Sequence, residues 1–519
     1  MEKCIHPLLK RRENHLILCR LQEQMKKENM EFLVLQEPHN VFYATGYMPV
    51  LNAFAVVPAE GKAKLVISTL ESEDAECVTQ DLEILPFMSW VFVDDGTPES
   101  WRDKGDIMDP KESLKIICRI INPASLSGNV GYEGGFISHQ LYSGLSEQIP
   151  AEKLADCTNL LKVARMRKTP WEIHMVQLAA QHLERVYEAT ARELKPGMPE
   201  YLIQKYFVHY AAEFDELGTM GRRHYFIPAA GPHFGLCGMP RGYTLREGDI
   251  IKFDVGFTHL GFQSDIARTY AVGGVAGDRE QQVYDILYKA NRLAVESLKP
   301  GVKCSEIYRI AREYVESSDL IRHYPRGHVG HSVGCSNSAE EYPQLSPAND
   351  IVLEPGMTFS LETPYSAMGK APVAGGYNLE DTFVITKDGH RAFTEIPSDL
   401  FGTKPCGSRY CPPDRVQDML AGKVLVDTVD EKFVPLEELA QGQEPLLYFM
   451  QSGGYLIDPT ESAKILEKYR EYEAQGKNLL VVSKIDRGTL LQHYEEHPVP
   501  YTVISDREGA LAKQFPGVE

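Results

Sequence analysis

The sequence predicts an α/β protein built from three domains. Short apolar runs typical of buried strands alternate along the chain with stretches whose apolar residues recur at helical spacing. A length of 519 residues fits about two to four domains, because one domain usually takes about 100–200 residues. Hydrophobic residues make up 43% of the chain and charged residues 24%, so each domain can bury a core of its own.

The first predicted domain covers residues 1–163 and combines helix and strand signals. A helix is expected over residues 16–27, where apolar side chains follow a helical period. Short apolar runs that predict strands lie at residues 32–35, 54–58, 64–68 and 129–133. This region of the sequence carries no compact catalytic motif.

The second predicted domain covers residues 164–396 and begins with a helix-start signal. Thr169 can cap the helix, Pro170 suits its first turn, and Glu172 completes a capping box. Apolar residues then follow at positions 175, 178, 179, 183, 186 and 189. Lys195-Pro196-Gly197 predicts the end of this helix. Further helices are predicted over residues 201–214 and 281–297, with strands between them and onward to about residue 390.

The third predicted domain covers residues 420–519. A linker rich in Gly, Pro and Cys, residues 397–419, separates it from the second domain. Strand, helix, strand and strand are expected at residues 445–449, 460–475, 478–486 and 499–509. This order resembles the thioredoxin-like fold and is nearest to the peroxiredoxins. No cysteine follows Cys411, and approximately Asp458 stands where a peroxidatic cysteine would fall. We therefore expect no thiol peroxidase activity from this domain alone.

The charge balance excludes several classes of partner. The chain has 73 acidic and 54 basic side chains, a formal net charge of -19. Nucleic acids and anionic membranes need clustered Lys and Arg, so neither is expected as a partner. The sequence has no stretch of about 18 apolar residues that would predict a transmembrane helix.

The cysteines and the N-terminus predict a cytoplasmic protein. The first seven residues lack the apolar core of a signal peptide. The 10 cysteines are scattered without a CxxC motif, which indicates free thiols in a reducing compartment. Cys406 and Cys411 are the only close pair, and we interpret them as an incidental loop pair, because two further zinc ligands are not in view.

Two aspartates lie on strand-like segments that flank a predicted turn at residues 259–261. Asp254 stands inside an apolar strand, where a carboxylate is costly unless a cation or a donor satisfies it. Asp265 lies on the returning strand, so a hairpin would bring the two carboxylates together. For this pair alone, a hairpin with solvated aspartates is the simpler interpretation.

Three further residues change that interpretation. His331 lies among glycines that let the backbone pack closely around an imidazole, while Glu362 and Glu380 interrupt or adjoin apolar strands. Four carboxylates and one histidine form the ligand set of a dinuclear, oxygen-rich metal site, suited to Mn²⁺, Co²⁺, Fe²⁺ or Zn²⁺. Two such ions sit about 3.5–4 Å apart in two-metal hydrolases.

The order Asp, Asp, His, Glu, Glu with these neighbours resembles the pita-bread metallopeptidases, which include aminopeptidase P, prolidase, methionine aminopeptidase and the metal-free creatinase. The resemblance covers about residues 165–392, and the first domain resembles the creatinase/prolidase N-terminal domain. It implies two divalent ions, expected to be Mn²⁺, with Co²⁺, Fe²⁺ or Zn²⁺ as alternatives.

The resemblance also implies a role for each ligand. Asp254 would chelate one ion and His331 would ligate the other. Asp265 and Glu380 would bridge them, and Glu362 would also take a proton from the bridging water.

The resemblance also implies a substrate and an assembly. His233 matches a substrate-side histidine that hydrogen-bonds the scissile amide, with a structural loop histidine as the alternative. The creatinase-type N-terminal domain favours the Xaa-Pro branch, whose substrates are small peptides with proline at the second position. A homodimer is expected from the family.

Two positions on the substrate side depart from the family pattern. The second histidine that usually follows the ligand histidine is Ser338 here, or Glu340 if two residues are inserted. His328 or His323 could take its place in space, and we count His328 as a catalytic candidate. The arginine that commonly stands two residues before the last ligand is Asn378, which removes a bidentate partner for a carboxylate or a carbonyl.

Three functions follow from these observations. The first is a metal-dependent hydrolase that cleaves the amide bond before proline. The second is a pita-bread enzyme with another reaction, such as C–N hydrolysis, lysis or rearrangement of a small amino-acid-derived metabolite. The third is a non-catalytic binding protein.

Overall fold

The computed structural model divides the chain into two compact units, residues 1–404 and 405–519. The described residues are 3–80, 82–89, 110–215, 225–226, 229–231, 242–274, 276–336, 340–366, 376–396, 400, 446–449, 459–475, 479–483 and 502–505. The described helices of the first unit are α1 (Pro7–Lys10), α2 (Asn14–Lys27), α3 (Pro38–Thr45), α4 (Ser72–Val78), α5 (Pro110–Ile121), α6 (His139–Gln148), α7 (Thr158–Arg165), α8 (Pro170–Arg192), α9 (Tyr201–Glu213), α10 (Asp278–Glu296) and α11 (Cys304–Glu316). None of the helices in this part of the chain is both long and apolar enough to span a bilayer.

A six-stranded mixed sheet organises the N-terminal part of the first unit, in the order β4-β3-β2-β1-β5-β6. Its strands are β1 (Met30–Leu35), β2 (Ala53–Pro58), β3 (Lys64–Ser68), β4 (Glu83–Phe87), β5 (Asn129–Tyr132) and β6 (Leu154–Asp156). Helices cover both faces of this sheet. Because side chains alternate along each strand, neighbouring residues belong to different core clusters. Leu33 and Leu35 belong to the core cluster with α2 and α7, whereas Val34 belongs to the cluster with α5 and α6.

A second sheet is antiparallel and nine-stranded over the described residues. Its strands are β7 (Tyr225–Phe226), β8 (Ala229–Ala230), β9 (Ile250–His259), β10 (Phe262–Ala271), β11 (Gly330–Ser332), β12 (Glu341–Gln344), β13 (Thr358–Glu362), β16 (Glu380–Ile385) and β17 (His390–Ala392). The main path runs β12-β11-β13-β16-β10-β9-β7, and β14 (Tyr365–Ser366) pairs with β15 (Gly376–Tyr377) separately. Helices α8 to α11 cover one face through two buried clusters. The opposite face of β9, β10, β13 and β16 carries Asp254, Asp265, Glu362 and Glu380 together with buried apolar residues such as Ala267 and Val384.

The two sheets of the first unit share one hydrophobic core around the tip of the β9–β10 hairpin. Phe262 packs edge-on against Phe42 and Trp171, with ring centroids 6.3 and 5.2 Å away. Gly261 has φ +79°, and a Cβ there would lie 2.8 Å from the Met48 Cε and 2.9 Å from the Phe42 Cδ1. The predicted domains 1–163 and 164–396 thus meet in a single packed core.

Two local signals of the sequence are confirmed in the structure. The capping box at the start of α8 is confirmed: the Thr169 N–H donates to Glu172 Oε2 at 2.7 Å, and the Glu172 N–H donates to Thr169 Oγ1 at 3.2 Å. The predicted hairpin is confirmed as β9 and β10. Helices α1, α3 to α7 and α11 have no counterpart among the predicted elements.

The second unit contains a parallel sheet in the order β18-β19-β20, with a helix between its first two strands. The elements are β18 (Leu446–Phe449), α12 (Pro459–Glu473), β19 (Leu479–Ser483) and β20 (Thr502–Ser505). This order of strand, helix, strand and strand is the one predicted, while its membership of the thioredoxin-like fold stays a prediction. Asp458 lies outside the described residues.

A buried arginine ties β10 to β16 and to α8. The Arg268 guanidinium, 3% exposed, donates to Glu184 Oε1 and to Asp381 Oδ1, both at 2.8 Å. It also donates to the backbone carbonyl of Glu380 at 2.6 Å. Burial alone would lower the pKa of Arg268, but the charges of Asp381 and Glu184 raise it, so the guanidinium stays charged.

Replacing Arg268 with methionine should destabilise the protein strongly, because Glu184 and Asp381 would keep buried charges without their main cation. We expect Arg268→Met to lower the free energy of unfolding by about 3–5 kcal/mol. Arg309→Met is the matched control, since Arg309 pairs with Glu313 on the exposed surface of α11 and should change stability little. Urea unfolding of both variants measures the difference, and equal midpoints would contradict this account.

Candidate metal centre

Strand register places the predicted carboxylates on one face of the second sheet. Ala267 lies opposite Asp254 on β9 and opposite Glu380 on β16. Glu380 in turn lies opposite Glu362 on β13. Three carboxylates therefore share one row across the sheet. Asp265 precedes Ala267 by two residues, so it lies on the same face in the next row.

The imidazole of His331 occupies that second row. His331 lies opposite Ser360, which precedes Glu362 by two residues on β13. Its Nδ1 is 3.1 Å from the Ser332 carbonyl oxygen, which can only accept, so Nδ1 carries a proton and donates to this oxygen. The other ring nitrogen, Nε2, points at the carboxylates, 3.7 Å from Asp265 Oδ2 and 3.6 Å from Glu380 Oε1.

The close approach of β11 to β13 depends on a glycine. Gly330 has φ +144°, and a Cβ at this position would collide with the carbonyl oxygen of Ser360. A side chain here would push His331 away from its neighbours. The sequence-based expectation that glycines allow tight packing around the imidazole is therefore confirmed at this position.

The arrangement of Asp265, His331 and Glu380 fits a bound cation. One ligand atom from each of the three lies within 4.8 Å of the others. Glu380 Oε1 is buried and has no hydrogen-bond partner among the described residues. Burial, and then the charges of Asp265 and Glu362, raise the pKa of Glu380 well above its usual range. A proton on Nε2 or a metal ion would each place positive charge beside these oxygens, and one imidazole nitrogen with two carboxylates is a ligand set that suits a divalent metal ion.

Glu362 is the carboxylate of the group that already faces positive charge. Arg326 donates to its Oε1, and His328 Nδ1 lies 3.5 Å from the same oxygen. Burial would raise the pKa of Glu362, but the guanidinium of Arg326 and the nearby imidazoles lower it below its usual value. Glu362 is therefore ionised and can both ligate a metal and accept a proton.

Asp254 stands at the more open end of the row. Its Oδ2 accepts from Lys252 Nζ at 2.9 Å and from Asn378 Nδ2 at 3.4 Å. The same Asn378 amide donates to Glu362 Oε2 at 3.0 Å. Asn378, at the position where the family resemblance predicts an arginine, thus orients two of the five candidate ligands.

The remaining candidates lie partly outside the described residues. His233 and Ser338 are outside them. Glu340 is exposed, and its carboxylate lies 3.5 Å from His328 Nε2 and 3.9 Å from Arg326 Nη2. His328 therefore bridges Glu340 and Glu362, at the edge of the carboxylate row.

Arg326 is the site residue that the sequence interpretation missed. It lies three residues beyond the isolated histidine at 323 and five before His331, in the run Arg326-Gly327-His328. The proximity of an arginine to the ligand histidine was the available signal. Spacing alone could not show that its side chain reaches Glu362, because the conformation of the loop before β11 determines where the Arg326 side chain lies.

Two family models match this chain over the parts just described. Residues 174–387 match metallopeptidase family M24, and residues 18–167 match the creatinase/prolidase N-terminal domain. Residues 174–387, called the M24 domain below, are similar to this family. The protein is thus a metal-dependent hydrolase rather than a non-catalytic binding protein.

Individual relatives agree with the assignment of the M24 domain. The chain is 26% identical over 400 residues to an Xaa-Pro dipeptidase of Lactobacillus helveticus, covering 74% of this chain and 98% of that protein. It is 31% identical over 251 residues to a probable dipeptidase of Mycobacterium bovis, covering 47% and 62% of the two chains. The crystal structure of the prolidase from Pyrococcus horikoshii OT3 has the same fold, with a TM-score of 0.61, 22% identity and coverage of 74% and 99%.

Removing a ligand from the M24 domain should abolish metal binding and leave the fold intact. We expect Asp254→Ala and His331→Ala each to weaken Mn²⁺ binding by more than about 100-fold and to remove hydrolase activity. Equilibrium dialysis followed by elemental analysis measures the bound metal. His139→Ala changes an exposed histidine of α6 and serves as the control. Full metal loading of either ligand variant would show that the assignment of these residues is wrong.

Proposed function

We propose that the protein is an Xaa-Pro peptidase that hydrolyses the amide bond before proline, using two divalent ions, expected to be Mn²⁺. The observation that carries the proposal is the pair of adjacent rows that bring Asp254, Asp265, His331, Glu362 and Glu380 to one face of the sheet. The similarity to Xaa-Pro dipeptidases over most of the first unit supports the choice of bond.

The five residues would hold the two ions between them. Bound there, the ions would lower the pKa of a water molecule toward 7 and polarise the substrate carbonyl. His331 would ligate through Nε2, since its Nδ1 donates to the Ser332 carbonyl and fixes the ring. Asn378 would hold Asp254 and Glu362 in place through its amide.

Glu362 and His328 would form a path for the proton of the attacking water. Glu362 would accept this proton, and His328 Nδ1 lies 3.5 Å from Glu362 Oε1. His328 Nε2 lies 3.5 Å from Glu340 at the exposed edge. His328 is thereby placed to carry a proton between the buried carboxylate and the leaving amine. In this role it replaces the family histidine that positions 338 and 340 lack.

Arg326 supplies the guanidinium that position 378 lacks. Its side chain is 34% exposed, so one part contacts Glu362 while another faces solvent next to the row of carboxylates. A guanidinium in this place suits the carboxylate of a dipeptide or the carbonyl of its proline residue. We therefore assign substrate binding to Arg326.

A second candidate function is a reaction on a small amino-acid derivative instead of a peptide. The observation in its favour is that two positions on the substrate side differ from the family pattern. Asn378 stands in place of an arginine, and Glu340 stands in place of a histidine. The mixed charge of Arg326 and Glu340 would suit a zwitterionic substrate. C–N hydrolysis, lysis and rearrangement are the reaction types that fit this alternative.

Release of proline from Xaa-Pro dipeptides tests the proposal. The full chain is stripped of metal, reloaded with Mn²⁺, and assayed against a panel of Xaa-Pro peptides and the matching Xaa-Ala peptides. We expect proline release only from the reloaded protein and little release of alanine. If protein shown to hold two ions releases no proline, the peptidase proposal fails and the amino-acid derivatives become the substrates to test.

Substitution of Arg326 should affect the binding of substrate more than the binding of metal. A lost charged hydrogen bond costs about 1.5–3 kcal/mol, so we expect Arg326→Ala to raise KM about 10- to 100-fold with metal content unchanged. Arg326→Lys keeps the charge and should give a smaller effect. The exposed Arg322 provides the control variant, Arg322→Ala. An unchanged KM for Arg326→Ala would remove this residue from the substrate site.

A further inference from the structure

A second cluster of metal-type ligands lies at the tip of the β9–β10 hairpin. His259 ends β9, His182 lies on α8, and Asp215 follows the end of α9. One ligand atom from each of the three residues lies within 4.8 Å of the others. His182 and His259 are buried, and Asp215 is partly buried. None of these residues belongs to the carboxylate rows of the M24 domain.

The hydrogen bonds of His182 fix its protonation. Its Nε2 lies 3.0 Å from the carbonyl oxygen of Ala211, which can only accept, so Nε2 carries a proton. The other nitrogen, Nδ1, faces His259, and in the neutral ring it holds a lone pair. That lone pair accepts from His259 Nε2 at 2.7 Å. A ring held by a backbone carbonyl on one nitrogen, with a lone pair on the other, is the usual state of a metal-ligating histidine.

We propose that His182 Nδ1, His259 Nε2 and a carboxylate oxygen of Asp215 form a site for a third metal ion, Zn²⁺, separate from the hydrolytic pair. Two imidazoles and one carboxylate are borderline ligands that suit zinc, and water would complete a tetrahedral shell. The proton of His259 Nε2 moves to Nδ1 of the same ring when the metal binds, so the ring stays neutral. The two ligand nitrogens must separate from 2.7 Å to about 3.3 Å, which small side-chain rotations provide.

The position of this site suggests what the zinc ion does. It joins α8 and the end of α9 to the hairpin that carries Asp254 and Asp265. His259 is three residues from Gly256, which lies opposite Asp265, or about 10 Å along the strand. Zinc at the tip would therefore hold the hairpin in the register that the hydrolytic site requires, without touching the substrate.

The test counts zinc in a variant that lacks the hydrolytic pair. The full-length double variant Asp265→Ala/His331→Ala is expected to bind about one Zn²⁺ per chain in equilibrium dialysis. Adding Asp215→Asn, a change of a partly exposed residue that should not disturb folding, is expected to weaken this binding by at least about 100-fold. His209→Gln, an exposed histidine on α9, is the control and should change nothing.

Cobalt provides an independent readout of the same site. Co²⁺ bound to the Asp265→Ala/His331→Ala variant should give the intense visible bands of four-coordinate cobalt, and His259→Gln should remove them. No stoichiometric zinc in the double variant, or zinc and cobalt signals unaffected by Asp215→Asn and His259→Gln, would show that His182 and His259 form a hydrogen-bonded pair only.

Discussion

The repulsion among buried carboxylates is the constraint on which the rest of the first unit depends. Asp265, Glu362 and Glu380 are each at most 4% exposed, and they share one face of the second sheet. Two like charges about 4 Å apart repel by about 4 kcal/mol even at an effective dielectric of 20. A proton held by one of the carboxylates or a bound cation relieves this repulsion, so the geometry of the sheet favours cation binding.

The two faces of strand β16 contribute to this cluster in different ways. On β16, Glu380 points to the carboxylate row, while the next residue, Asp381, points to the helix side and binds Arg268. Arg268 also holds the backbone carbonyl of Glu380. The rigidity of the helix-covered face therefore sets the position of the ligands on the open face. On that open face, Arg326 supplies a positive charge from the loop before β11.

The sequence predicted which candidate ligands would lie together better than it predicted their surroundings. Asp254 and Glu362 could be recognised because a charge inside an apolar strand has few explanations, and the capping box of α8 is a local signal. The contact of Arg326 with Glu362 and the bond between His182 and His259 join segments far apart in the chain. These contacts depend on packing, which one sequence without its fold does not reveal. Helices α3, α4 and α7 have only 8, 7 and 8 residues, which is too short for a helical period to be distinct in the sequence.

The presence of two ions between the rows is the central claim, and anomalous X-ray diffraction from Mn²⁺-loaded crystals tests it most directly. The account predicts two anomalous peaks about 3.5–4 Å apart, in contact with Asp265 and Glu380, with His331 Nε2 on one of them. The absence of any peak at these residues, or two peaks bound elsewhere on the chain, would contradict it.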